Sequence, residues 1–235
     1  MISPTTTDSE IEDYAAAMMP QLELLTSPYR HYELPYGRFQ QYDAVRADGV
    51  AVSTMAVEGS DVPLVKHELD IPAPADFVLD LYGRLNYTEI VDPFSFLVRS
   101  IQTIQTGGSS RFGWLLVAET IDDMKIPRDS RTRDFCTLDG VDRSRLLQFS
   151  KSVDHPLMKE VPFNTVRVPL TYAIRVIPHE NDKGSTGPSC RVVQIQHSDS
   201  ALPSLSLLAS SENCPAASCE LLLVGLAQGL AAGWC

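Results

Sequence analysis

The chain has 235 residues, 44% apolar and 21% charged, an ordinary globular composition with enough length to bury a full core in one large domain. A formal net charge of −11 argues against a nucleic-acid partner, which needs a basic face, and against adsorption to anionic membrane by overall charge. Cysteines stand at 136, 190, 214, 219 and 235 without a CxxC pair, and the first residues lack both the basic start and the apolar run of a signal peptide. Free thiols in a reducing cytoplasm are therefore expected.

In chain order, Asp8 to Leu25 reads as an amphipathic helix, with Asp8 or Ser9 placed to cap it and Glu10, Glu12 and Asp13 in its first turns. Ile11, Tyr14, Ala15, Met18, Leu22 and Leu25 fall on one face, and Pro20 is expected to kink the helix or end it early. Three strand-like runs follow, Phe39 to Val45, Gly49 to Val57 and Leu64 to Ile71, and their short links predict antiparallel pairing. After Pro72-Ala73-Pro74 a second helix is expected to pack across the sheet through Phe77, Val78, Leu81 and Leu85. Phe96 to Gln105 and Phe112 to Glu119 are strands joined through Gly107-Gly108-Ser109-Ser110, which lacks the Gly-Lys-Ser/Thr of a phosphate loop. The long loop after Glu119 mixes apolar tips, Met124 and Ile126, with Lys125, Arg128 and Arg131.

Arg133-Asp134-Phe135-Cys136 opens an antiparallel meander, with a turn expected at Asp139-Gly140. Leu146 to Val153 follows and stops at Asp154-His155-Pro156, and a single long strand is expected from Val166 to Ile177. A polar loop from Asn181 to Ser189 leads to the last strand, Cys190 to His197. Cys219 to Trp234 is almost wholly apolar, yet its roughly sixteen residues fall short of the ~20 that span a bilayer. It reads as a buried closing helix with a flat glycine face at Gly225, Gly229 and Gly233; its flanks lack the charges that would anchor a membrane dimer. The whole, 1–235, is expected to be one α+β domain with a mostly antiparallel sheet.

This order of elements resembles the START domains, the lipid-transfer module named for the steroidogenic acute regulatory protein. The likeness runs from about Asp48 to the C-terminus. It rests on Arg133-Asp134-Phe135, on Ser152-Val153-Asp154-His155-Pro156 followed by Val166-Arg167, and on Val193-Gln194-Ile195-Gln196-His197-Ser198-Asp199 with Leu202-Pro203. The resemblance implies the helix-grip fold, of the START/Bet v 1-like kind: a curved antiparallel sheet wrapped around a long C-terminal helix, about 216–234. Two departures stand out. Val91-Asp92-Pro93 occupies the place of the family's Trp-Asp, and Asp139 stands where the cholesterol-binding branch has an arginine. The second argues against a sterol ligand, and the expected cargo is a phospholipid or similar amphiphile.

Carriage of such a lipid needs an enclosed apolar tunnel. Alternation on Val166 to Ile177 sends Val166, Val168, Leu170, Tyr172, Ile174 and Val176 one way, and alternation on Phe112 to Glu119 groups Phe112, Trp114, Leu116 and Ala118. These are the expected lining, with Leu222, Leu226 and Gly229 of the closing helix. Arg99, Gln102, Gln148, Tyr172, Arg175, Gln194 and His197 are the polar strand residues available for a headgroup, Arg99 and Arg175 because a guanidinium pairs bidentately with phosphate or carboxylate. Arg167 is expected to form a structural ion pair instead. Met124, Lys125, Ile126 and Arg128 could touch a membrane locally.

Cys214 and Cys219 could be metal ligands, but no histidine pair stands near, and neither metal nor cofactor is expected. The scattered histidines and the absence of a nucleophile signature argue against catalysis. The expectation is a monomeric cytoplasmic lipid-transfer protein, peripheral at membranes. Its rivals are an interaction module with a filled cavity and a cyclase-like or hydrolase-like enzyme using the same cavity.

Overall fold

The structure is a computed structural model that describes residues 2, 6–28, 33–34, 37–41, 49–82, 98–109, 112–122, 132–156, 165–179 and 188–198. Helix α1, Asp8–Leu25, fills its expected range, but the cap is Thr7. The Thr7 hydroxyl accepts from the Glu10 N–H at 3.3 Å, while Glu10 Oε2 accepts from the Thr7 N–H at 2.7 Å. This is the reciprocal Thr-x-x-Glu box, one residue earlier than the acids alone suggested. Pro20 does not end the element, which runs on to Leu25. Proline and Ala16, whose carbonyl loses its donor, both lie on the exposed face, where water can satisfy that oxygen. The buried stripe is Ile11, Ala15, Met19, Leu22 and Leu25; Tyr14 is 39% exposed and Met18 only half-buried.

Strands β1 (Glu33–Leu34) and β2 (Gly37–Arg38) make a small antiparallel pair. The main sheet has ten strands: β3 (Gln40–Gln41), β4 (Ala51–Met55), β5 (Leu64–Ile71), β6 (Val98–Gly108), β7 (Phe112–Asp122), β8 (Thr132–Asp142), β9 (Leu147–Ser152), β10 (Thr165–Arg167), β11 (Leu170–Pro178) and β12 (Cys190–Ser198). Their order is β3-β4-β5-β12-β11-β9-β8-β7-β6, antiparallel throughout, with β10 added parallel to the start of β8. The last strand thus pairs with β5 and β11, and joins the two halves of the chain at mid-sheet.

Two expectations about the meander are corrected. β8 continues straight through Asp139-Gly140, and the chain reverses only after Asp142, whose Oδ1 accepts from Ser144 N–H at 2.9 Å and Arg145 N–H at 3.1 Å. Leu146 closes this reversal at φ 50°. Gly140 serves packing instead: a Cβ there would lie 2.4 Å from the buried ring of Phe149. The long strand from Val166 is also broken, because Pro169 has no N–H for a ladder. β10 ends at Arg167, and β11 begins at Leu170, whose N–H donates to Ser152 Oγ at 2.7 Å.

The sheet packs on both faces. Helix α1 is tied to one of them at four places: Gln105 to Asp8 at 3.2 Å, Arg175 to the Glu23 carbonyl at 3.4 Å, Arg145 to the Glu23 carboxylate at 3.1 Å, and Lys66 to the Ser27 carbonyl. Its 18 residues make a rod of about 27 Å. That is close to the ~29 Å width of the strands from β5 to β6, so α1 crosses nearly the whole sheet. Between them lie Trp114, Leu116, Cys136, Leu138, Leu147, Phe149, Ala173 and Ile195. Helix α2, Ala75–Tyr82, packs on the other face against Leu69, Ile71, Ile174, Val176, Cys190 and Val192. It does so through Ala75, Val78, Leu79 and Tyr82; Phe77, expected in that stripe, is 40% exposed, Leu81 is half-buried, and Leu85 lies outside the described residues.

Candidate functional site

Cross-strand register places two rows of side chains on the α2 face, at the edge of the apolar patch that α2 covers and extending past it. One row runs His67 (β5), Gln194 (β12), Ile174 (β11), Gln148 (β9) and Val141 (β8). The next runs Val65, Gln196, Tyr172, Ser150 and Asp139 over the same strands. Strict alternation sets both rows on one side, since antiparallel partners share a face. Ile174, Tyr172 and Val141 pack in the α2 cluster, which fixes which side that is.

Polar groups in these rows are buried without a hydrogen-bond partner among the described residues. Gln194 is 0% exposed, and neither its amide nitrogen nor its oxygen has a hydrogen-bond partner among the described residues. The same holds for Gln148 Oε1 and for one oxygen of Asp139. Burial pushes the Asp139 carboxyl above its usual range, against hydrogen bonds from Ser150 and Thr137 that favour the ionised form. Each orphaned buried group costs about 1–3 kcal/mol, and a leucine in place of Gln194 would avoid it. The face is therefore built to hydrogen-bond something that it does not itself supply.

The other expected site residues divide among several places. Ile174, Tyr172 and Leu170 stand on this face, with Leu170 half-buried at the β11 start. Trp114 and Leu116 do not: they pair through Gly140 and Leu138 on the α1 face and pack fully in its core. The break at Pro169 has the same effect on Val168, which lines a cleft of about 230 Å³ with Ile2, Tyr14, Cys136, Ser152 and Arg167. Arg175 likewise faces α1, where it bonds the Glu23 carbonyl. Gln102 is exposed, and His197 stands 3.3 Å from the Ser60 hydroxyl. Arg99 lies at a β-bulge of β6, and its side chain falls outside the described set. Leu222, Leu226 and Gly229, the loop residues Met124, Lys125, Ile126 and Arg128, and Cys214 and Cys219 also lie outside the described residues.

The residues that carried the resemblance have structural work of their own. Arg167 donates through Nε and Nη2 to Asp134 Oδ2 at 3.1 and 2.6 Å, clamping β10 against β8 as the ion pair expected of it. Burial pushes the Cys136 and Cys190 thiols up to about 11, so neither is a ready nucleophile at neutral pH. His155 is 4% exposed and its pKa is lowered by that burial. No metal-holding cluster occurs among the described residues. Ser150, Thr137 and His67 were not singled out from sequence; the available signal was a polar side chain at an inward position of an otherwise apolar strand.

No protein-family model matches the chain, and no curated protein matches it. Solved structures do. Human StAR-related lipid transfer protein 5 superposes with a TM-score of 0.58 at 16% identity, covering 95% of this chain and 96% of that one. The human StarD13 (DLC2) lipid transfer and protein localization domain gives 0.54 at 14% identity, over 94% and 96%. A STAR-related lipid transfer protein from Xanthomonas axonopodis gives 0.53 at 18%, over 80% and 98%. At such identities the likeness is one of fold, and it extends along nearly the whole chain.

Proposed function

We propose that this START-fold chain is a lipid-binding and transfer protein that encloses one membrane amphiphile against the α2 face of its sheet. The observation that carries the reading is the pairing, on that face, of an apolar wall with buried amides that have no partner among the described residues. The likeness to structures named for lipid transfer supports it. Hiding a sixteen-carbon chain from water is worth about 12 kcal/mol, which an enclosed wall can supply and an open groove cannot.

In this reading residues 1–235 form one domain, and the helix at about 216–234 closes the hollow, with Leu222 and Leu226 toward the lipid and Gly229 allowing close approach. Met124, Lys125, Ile126 and Arg128 touch the membrane during exchange. The protein works as a monomer in the cytoplasm, peripheral at membranes and without covalent chemistry. Arg175, one of the two arginines available to pair with a phosphate, turns to the opposite face, which weakens the choice of a phospholipid.

Transfer of a fluorescent acyl lipid from donor to acceptor vesicles tests the proposal. Catalytic amounts of the chain are expected to speed transfer in proportion to protein concentration. A rate equal to that of vesicles alone would overturn it.

A further inference from the structure

Around Gln194 and Gln148 the proposed lipid face is polar and carries no cation among the described side chains; Arg133, which shares the parity of Asp139, stands six residues away along β8, about 20 Å. Lys66, Lys151, Arg167, Arg175 and Arg191 all belong to strands of the main sheet, and alternation sends every one of them to the α1 face. There they are engaged: Lys66 with the Ser27 carbonyl, Lys151 with Thr171, Arg167 with Asp134, Arg175 with the Glu23 carbonyl and Arg191 with Asp70 at 2.8 Å. A phosphate laid on the opposite face would meet amides and a carboxyl. Burying an anion there without a counter-charge is far more costly than burying a hydroxyl that finds its hydrogen bonds.

What the face offers is neutral and two-sided. Gln194 presents one donor group and one acceptor, both without a partner among the described residues, at 0% exposure. Gln148 stands two strands away across Ile174, about 10 Å at the backbone, so the two amide ends can converge over that side chain. Asp139 lies diagonally from Gln148, one row along on β8. Its burial favours the protonated form, which donates a hydrogen bond and adds no charge.

Resting on the lipid-carrier reading, we infer that the ligand has an uncharged headgroup that both donates and accepts hydrogen bonds, a hydroxyl or an amide, held between Gln194 and Gln148 with Asp139 beside them. Ile174 is the floor beneath that headgroup, and the apolar residues under α2 bound the site on one side.

Competition between two labelled lipids with the same acyl chains tests this, one a diacylglycerol and one a phosphatidate, each presented in phosphatidylcholine vesicles to the full chain. The expected result is a preference of about tenfold or more for the diacylglycerol. Gln194→Leu is expected to lower diacylglycerol uptake by about tenfold without lowering the melting temperature, because it removes an unsatisfied buried amide. Gln148→Leu, at a half-buried position, is expected to lower the same uptake and serves if the first variant folds poorly. Preference for phosphatidate, or uptake unchanged in both variants, overturns the headgroup assignment and leaves lipid carriage standing. Uptake of neither lipid overturns both.

Discussion

Asp139 sits between the hydroxyls of Thr137 and Ser150, in a setting that disfavours its ionised form chiefly because it is buried. In the unfolded chain the same carboxyl titrates near its ordinary value of about 4. The folded chain therefore holds the proton to higher pH. Stability from this group is full below the unfolded value and is lost as pH rises through the folded one. Asp139→Asn keeps an acceptor for the two hydroxyls and removes the titration. Denaturant midpoints should match the parent near pH 4 and exceed it increasingly toward about pH 7. A difference that stays constant with pH would mean that the carboxyl is solvated in the folded chain. The sequence marked this position as part of a turn and as a departure from an arginine; its partners are cross-strand and become visible only once register is known. Thr7 was more nearly legible, since the Thr-x-x-Glu spacing is local and needed only to be read one residue earlier.

Elements were most legible where one face alone is apolar. The ranges expected for α1 and β5 coincide with the observed ones, and β12 runs one residue further than expected. The break at Pro169 was written in the sequence as a residue that cannot donate to a ladder, yet the unbroken alternation on either side concealed it. Its consequence is topological, because the freed segment pairs parallel with β8 instead of extending β11. Face assignment was the least legible property. Trp114 and Ile174 each lie on well-alternating strands, and alternation within one strand cannot say which face of the neighbour it matches. The structure makes Leu116 a core residue under α1, 0% exposed. Leu116→Ala should therefore cost about 2–5 kcal/mol in chemical denaturation, with the relative uptake of different lipids unchanged. A small stability loss joined to a changed lipid preference would move Leu116 to the ligand.

At the scale of the molecule, the sheet divides labour between its faces. One is filled: α1 spans it, and the described strand cations engage there. The other carries α2 over part of its width and, beside it, buried amides that have no partner among the described residues. No described helix is long and apolar enough to cross a bilayer. The net charge of −11 disfavours adsorption to an anionic membrane by overall charge. The fold was legible as a class because the residues of the START resemblance lie largely on strands that build the sheet. The ligand was not, because its recognition depends on which face each polar side chain takes.

The central claim is that the α2 face holds one lipid out of water. Native mass spectrometry of the chain purified from cells without detergent tests it most directly. The account predicts an added mass equal to a single lipid on each chain, released on denaturation and identified in the organic extract. A chain that carries no lipid from the cell, and acquires none after incubation with vesicles, would contradict it.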